Sequence, residues 1–327
     1  MHKFFKKSFL FILFPISIIL TSDIILRNQN TLHKEKYEGA KEVIDSIEVL
    51  ILGTSHAHYA INPDIFDLYA YNLANLGQSI YFDKRITLSL LPEMKQLKYV
   101  FISIDYHSLS FSSQFDKDYW SYHGNGIKYK DTNYLYANLS PTLFGYTPRV
   151  AFAMHKHRYL KIRKHGTDII DFEVQNGVDI YKPAIKGYVA FEGRDLHNFN
   201  HDAYNVSSNW YTEVIEKSNE KEEIIADLEH FVQLLLVNDI TPILITAPIY
   251  TEYVGYLNAS YIHQNIETST QIANKYGIKY WDFLNSDLFT IDDFYDMEHL
   301  NRKGALKFST MLNDSINTMK SELKAYN

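Results

Sequence analysis

Five short, almost uninterrupted apolar runs set the strongest limit on how this chain folds: Val49 to Leu52, Ala70 to Leu73, Tyr99 to Ile104, Pro242 to Thr246 and Ile278 to Phe283. A strand with one wet face alternates apolar and polar residues. A short run without alternation is instead the pattern of a parallel strand covered on both faces. Helix-like segments lie between the runs. Asp83 stands where it can cap a helix through Leu97, with Ile86, Leu90, Leu91, Met94 and Leu97 on one stripe. Trp210 to Val237 carries the same period and stops before Asn238. A helix over Ser260 to Tyr276 is expected to end at Gly277, and a last one to cover Arg302 to Leu323. This alternation predicts an α/β fold, a three-layer α/β/α doubly wound parallel sheet of about five strands, with functional groups at the carboxyl ends of the strands.

The N-terminus adds a membrane segment. Lys3, Lys6 and Lys7 precede an apolar run from Phe9 to Leu20 that resumes as Ile24-Ile25-Leu26 before Arg27. No small-x-small cleavage site follows, and the stretch is long enough to span a bilayer, so the expectation is an uncleaved signal-anchor, a transmembrane helix, over 1–27. Its basic side keeps the N-terminus in the cytoplasm and exports the remainder to the periplasmic or extracellular face. Residues 28–47 read as a polar stalk and 48–327 as the folded domain, interrupted at about 106–209 by a tyrosine-rich insertion. Aromatics there form a small subdomain core in the ordinary reading and stack on sugar rings in the functional one. The basic run Arg149 to His165 reads as a solvated amphipathic helix in preference to a surface for anionic lipid or acidic glycan. A net charge of −7 speaks against a nucleic-acid partner. The absence of cysteine excludes disulfides, thiolate nucleophiles and Cys-ligated zinc.

Chemistry is concentrated at two places. The first run ends in Leu52-Gly53-Thr54-Ser55-His56, which puts a hydroxyl at the carboxyl end of a strand. Ser and Thr at such turns also serve as helix caps. Far downstream, Asp296-Met297-Glu298-His299-Leu300-Asn301 places a carboxylate three residues before a histidine. A serine nucleophile needs a base in hydrogen-bond reach and an acceptor that orients the base, and this loop carries both residue types. His56 and His58 have the spacing of two metal ligands but no evident third, so neither a metal nor another cofactor is expected.

Gly53-Thr54-Ser55, Gly77 within Asn75-Leu76-Gly77-Gln78-Ser79, and Asp296-x-x-His299 resemble blocks I, II and V of the SGNH/GDSL hydrolases in order and spacing, over roughly Glu48 to Phe308. The likeness is to the membrane-anchored branch that includes the teichoic-acid D-alanyl transfer protein and polysaccharide O-acetylation proteins. It implies an SGNH-like sheet with flavodoxin-like strand order. It also implies Ser55 as nucleophile, His299 as base and Asp296 as its orienting group. The N–H groups of Ser55 and Gly77 would form the oxyanion hole, with Asn75 a further candidate. Thr54 replaces the family's aspartate. The Gly-x-Asn-Asp block expected after the third strand is missing, the chain reading Ile104-Asp105-Tyr106-His107 there. The third oxyanion donor is thus open. His56, His107, Tyr106 and Trp120 are candidate substrate contacts. The function implied is an anchored serine esterase or acyltransferase acting on acyl esters of a cell-envelope glycan or related polymer, the acyl donor for transfer coming from a membrane acyltransferase partner. The alternative is a catalytically inactive SGNH-like glycan-binding or assembly factor.

Overall fold

The computed structural model describes residues 2–28, 31–111, 122, 124–127, 143, 148–165, 173–175, 178–180, 184–195 and 199–326. In chain order its helices are α1 (His2–Arg27), α2 (Leu32–Glu42), α3 (Ser55–Ala60), α4 (Ile80–Leu90), α5 (Pro148–His165), α6 (His201–Lys217), α7 (Lys221–Leu236), α8 (Thr251–Val254), α9 (Ala259–Tyr276) and α10 (Arg302–Tyr326). The strands are β1 (Val49–Leu52), β2 (Ala70–Asn72), β3 (Tyr99–Ser103), β4 (Glu173–Gln175), β5 (Val178–Ile180), β6 (Thr241–Thr246) and β7 (Lys279–Asp282). The chain forms two compact units, one of Met1–Tyr37 with Gln114–Lys182, the other of Glu38–Ser113 with Pro183–Asn327.

The second unit is an α/β structure built on a parallel sheet of order β2-β1-β3-β6-β7. Successive side chains on a strand point to opposite faces. Val49, Ile51, Tyr99, Phe101, Ile243 and Ile245 therefore share one face, where they pack with Ala57 and Ala60 of α3 and with Phe308, Leu312 and Ile316 of α10. The alternate residues Leu50, Leu52, Val100, Ile102 and Leu244 are equally buried. On that account the runs carry no polar alternation, each such side chain contributing roughly 1.5–3 kcal/mol by burial. Helix α10 is also tied to the segment just after α3, Ser309 Oγ accepting from the N–H of Asn62 at 2.8 Å. The outermost strand β7 is the one partly exposed, and it carries the charged Lys279 and Asp282 expected on a sheet edge.

Three helix expectations are corrected. Helix α4 starts at Ile80 behind Ser79, not at Asp83, which lies buried in its first turn. It ends at Leu90 instead of reaching Leu97: Leu91 keeps helical backbone, but Pro92 has no N–H with which to continue the helical hydrogen bonds. The period over Trp210 to Val237 belongs to two helices, α6 and α7, parted where Ser218 turns to an extended conformation. The segment around 28–47 holds α2 and a 3-10 turn at Ile44–Ser46, with Leu32, Tyr37, Ala40 and Ile44 buried. Of the expected insertion, Tyr106, Leu109, Phe111 and α6 belong to the α/β unit.

The first unit contains α1, α5 and the antiparallel pair β4–β5. Over Lys6–Arg27, α1 has a mean hydropathy of 2.4 and is long and apolar enough to cross a membrane. Its apolar side chains from Phe4 to Leu20 are largely exposed, whereas Asp23 and Leu26 near its end are covered.

Candidate active site

At the end of β1, Gly53 adopts φ +131°, and a Cβ there would lie 2.4 Å from Cβ of Ser103. Only glycine permits this turn against β3. Thr54 then caps α3 by accepting from the N–H of His56 at 3.2 Å, so Ser55 is the first residue of the helix. The capping role thus falls to Thr54 and not to Ser55. Strand order reverses between β1 and β3, which is where an open parallel sheet forms its crevice.

The late loop is held from below. Asn301 donates from Nδ2 to the carbonyls of Asp292 and Phe294, and Phe294 bridges antiparallel to Leu300. Asp296 Oδ1 accepts from the N–H groups of Glu298 and His299, each at 2.8 Å. With Nδ1 of His299 carrying its hydrogen, the ring donates to Asp296 at 3.0 Å, and Nε2 accepts from Ser55 Oγ at 2.8 Å across 244 positions of sequence. Burial raises the Asp296 carboxyl, but the His299 ring and the two backbone donors outweigh it and hold the group below its ordinary value. The His299 ring meets Tyr59 edge-on at 5.3 Å, and Phe191 stacks between Tyr59 and Tyr295. These rings leave the imidazole little freedom to rotate.

Ser55 and Gly77 open together onto a cavity of about 130 Å³, walled by Gln78, His107, Phe111, Trp210 and Tyr211. Gly77 takes φ +63°, a conformation that suits glycine and leaves its backbone approachable. Asn75 is buried and does not line the cavity; its Oδ1 accepts from the N–H of Leu76, and its own N–H donates to the Gly53 carbonyl. His107 stacks on Phe111 and lies 4.7 Å from the Tyr211 ring. Burial lowers its imidazole to about 4, so it faces the cavity neutral at pH 7.

The other candidate contacts lie deeper. His56 is 3% exposed, and its Nδ1 is 3.2 Å from Asp105 at the end of β3. The same carboxylate accepts from the Thr54 hydroxyl and, at 3.0 Å, from Ser103 Oγ. Burial disfavours charge on His56, yet Asp105, with Glu298 and Asp296 beyond it, raises the imidazole to about 9. Asp105 is held well below the usual carboxylate range by that ring and the hydroxyl, against its own burial. Tyr106 is buried and donates to Glu298 Oε1 at 2.7 Å, which also accepts from Tyr253 at 3.0 Å. Trp120 lies outside the described residues. His58 turns away from His56, its Nδ1 3.1 Å from the carbonyl of Ala74. His56, Glu298 and His299 offer ligand-type atoms within 4.8 Å of one another. Each of the three is already engaged: His56 with Asp105, Glu298 with two phenols, and His299 with Ser55 and Asp296.

Sequence reasoning missed Asp105 and Asp83. The available signal for Asp105 was a lone charge closing a nearly apolar run, which demands a partner. Asp83 accepts from the N–H of Gly53 at 3.2 Å and from Gln78 Nε2 at 2.7 Å, linking the serine turn to the Gly77 loop. Burial, reinforced by Asp105, raises its carboxyl to about 8 against those two donors. The folded state thus holds a proton on Asp83 that the unfolded chain releases near pH 4. Its contribution to stability is complete below about pH 4 and is lost as pH rises through about 8. Asp83→Asn keeps the acceptor and removes the titration. Its melting temperature is expected to gain on that of the parent between pH 5 and 9 in paired calorimetric scans; a gap that stays constant with pH would refute the assignment. Compared with protein-family models and with curated proteins, the chain matches none of them.

Proposed function

We propose that this chain is a membrane-anchored serine esterase or acyltransferase of the SGNH type, acting on acyl esters of a cell-envelope glycan or related polymer. The observation that carries the reading is the hydrogen-bonded series Ser55 Oγ, His299 Nε2, His299 Nδ1 and Asp296, drawn from opposite ends of the chain to one rim of the sheet. A parallel sheet whose order runs 2-1-3-4-5 in strand sequence, the flavodoxin-like order, supports the wound SGNH arrangement.

In the proposed reaction Ser55 Oγ attacks the acyl carbonyl carbon and its proton passes to His299 Nε2. The carbonyl oxygen becomes negative and is met by the N–H groups of Ser55 and Gly77. Donors of this kind contribute about 2.7–4 kcal/mol each in the transition state. Collapse expels the alcohol, which takes the proton from Nε2, and leaves acyl-Ser55. Water or a sugar hydroxyl then reverses the sequence, giving hydrolysis or transfer. The cavity of about 130 Å³ is small beside the roughly 300–1,000 Å³ of sites that enclose drug-sized ligands, which favours a short acyl group with the polymer outside. Helix α1 is assigned as the anchor, with the α/β unit exported and a membrane acyltransferase as donor partner for transfer.

A fluorophosphonate probe tests the reading. The purified chain should carry the label on Ser55 by mass spectrometry, and Ser55→Ala should take up none. Folded protein that stays unlabelled would favour a glycan-binding protein without esterase chemistry.

A further inference from the structure

Helix α5 has a surface that the proposed chemistry does not use. Phe152, Lys156, Tyr159 and Arg163 follow one another at spacings of four, three and four residues, which aligns them on one face. All four are exposed, Phe152 at 72% and Tyr159 at 62%, and Leu160, Ile162 and Lys164 flank them, also exposed. Large aromatic and aliphatic side chains are not ordinarily left in water along a whole helix face.

Where α5 meets α1 gives this face a depth. His155 Nε2 lies 2.8 Å from Ser22 Oγ, within one compact unit. Ser22 stands in the outer part of the apolar span Lys6–Arg27. At 1.5 Å of rise per residue, the contact is about 7–8 Å inside the end of that span. A helix touching the span there lies at the boundary between headgroups and acyl chains, where aromatic rings partition and Lys and Arg meet phosphate. The covered Asp23 and Leu26 mark the same stretch of α1, while its earlier apolar residues face outward.

We infer that α5 is an interfacial helix that lays its Phe152–Lys156–Tyr159–Arg163 face on the anionic headgroups of the bilayer that α1 crosses, on the side where Ser22 lies. The inference rests on the anchoring assigned to α1. Charge complementarity selects phospholipid of negative charge, and interleaved aromatics select a surface with an apolar layer beneath it, in preference to a soluble acidic polymer.

The chain has no cysteine, so single spin labels can be placed without background. Full-length protein labelled at Ile12→Cys, Phe152→Cys or Tyr159→Cys is reconstituted in phosphatidylcholine vesicles with and without phosphatidylglycerol. Accessibility to oxygen and to a water-soluble nickel relaxant is then measured. The expected result puts the Ile12→Cys label in the acyl region of both vesicles. The labels on α5 are expected at the headgroup level with phosphatidylglycerol, shifting toward water without it and in the Lys156→Glu/Arg163→Glu background. An acyl-buried Ile12→Cys label with α5 labels in water in all vesicles overturns the inference and leaves the anchor standing. Labels on α5 at the same depth in both lipids overturn the assignment to anionic headgroups. An Ile12→Cys label in water overturns the anchor, and the interfacial helix with it.

Discussion

His299→Ala is expected to lower kcat for a small activated acyl ester by a factor on the order of 10⁵–10⁶, with the fold retained. A serine hydroxyl at neutral pH is a poor nucleophile until a base takes its proton, and residues of a triad act as a unit. His299 Nε2 is the nitrogen at 2.8 Å from Ser55 Oγ, and its ring is held on the far side by Asp296 and at its flank by Tyr59. The ring is part-buried and makes its contacts at the rim, so its removal leaves the sheet core of Phe101, Ile245 and Phe308 untouched. Circular dichroism checks the fold, and burst kinetics with p-nitrophenyl acetate measures the loss. Ser55→Ala with His299→Ala should cost no more than either alone. A loss below about tenfold for His299→Ala would show that another base serves Ser55.

Asp105→Ala should destabilise the α/β unit by about 3–5 kcal/mol, the usual range when one partner of a buried ion pair is removed. Two hydroxyls, Thr54 and Ser103, lose their acceptor and the His56 ring loses its counter-ion together. Urea titration at fixed pH measures the change. The pH dependence supplies a second readout. His56 is raised to about 9 in the folded protein, so the stability its proton brings is complete below its ordinary value near 6.5 and is lost as pH rises through about 9. Without Asp105 the first source of that elevation is gone, and the alkaline fall over this window should flatten. An unchanged slope would mean that Glu298 and Asp296 hold the proton on His56 unaided.

The sheet was readable because its strands are buried on both faces, which turns a packing constraint into an unbroken apolar run at Val49–Leu52 or Tyr99–Ser103. Helix ends were harder to place. At α4 the acidic residue that resembled a cap is a buried tie to Gly53, and the cap position belongs to Ser79 four residues earlier, while Pro92 supplies the stop. The sequence positions of Ser55, Asp296 and His299 were legible because a serine closes a strand-like run and a carboxylate stands three residues before a histidine. The electrostatic floor beneath them was not, since Asp105 and Asp83 act through partners 49 to 51 and 30 positions away respectively, and no local period records such pairings. His56 follows the serine immediately and reads as a substrate contact on that ground; the first turn of α3 carries it inward to Asp105 instead.

The lock between α3 and α10 has a temporal side. The hydroxyl-bearing helix shares its apolar seat with Phe308, Leu312 and Ile316 of α10, and the imidazole loop directly precedes that helix. On the reading proposed above, Ser55 emerges 244 positions before His299 during synthesis, so a chain truncated ahead of the imidazole loop would hold an inert serine.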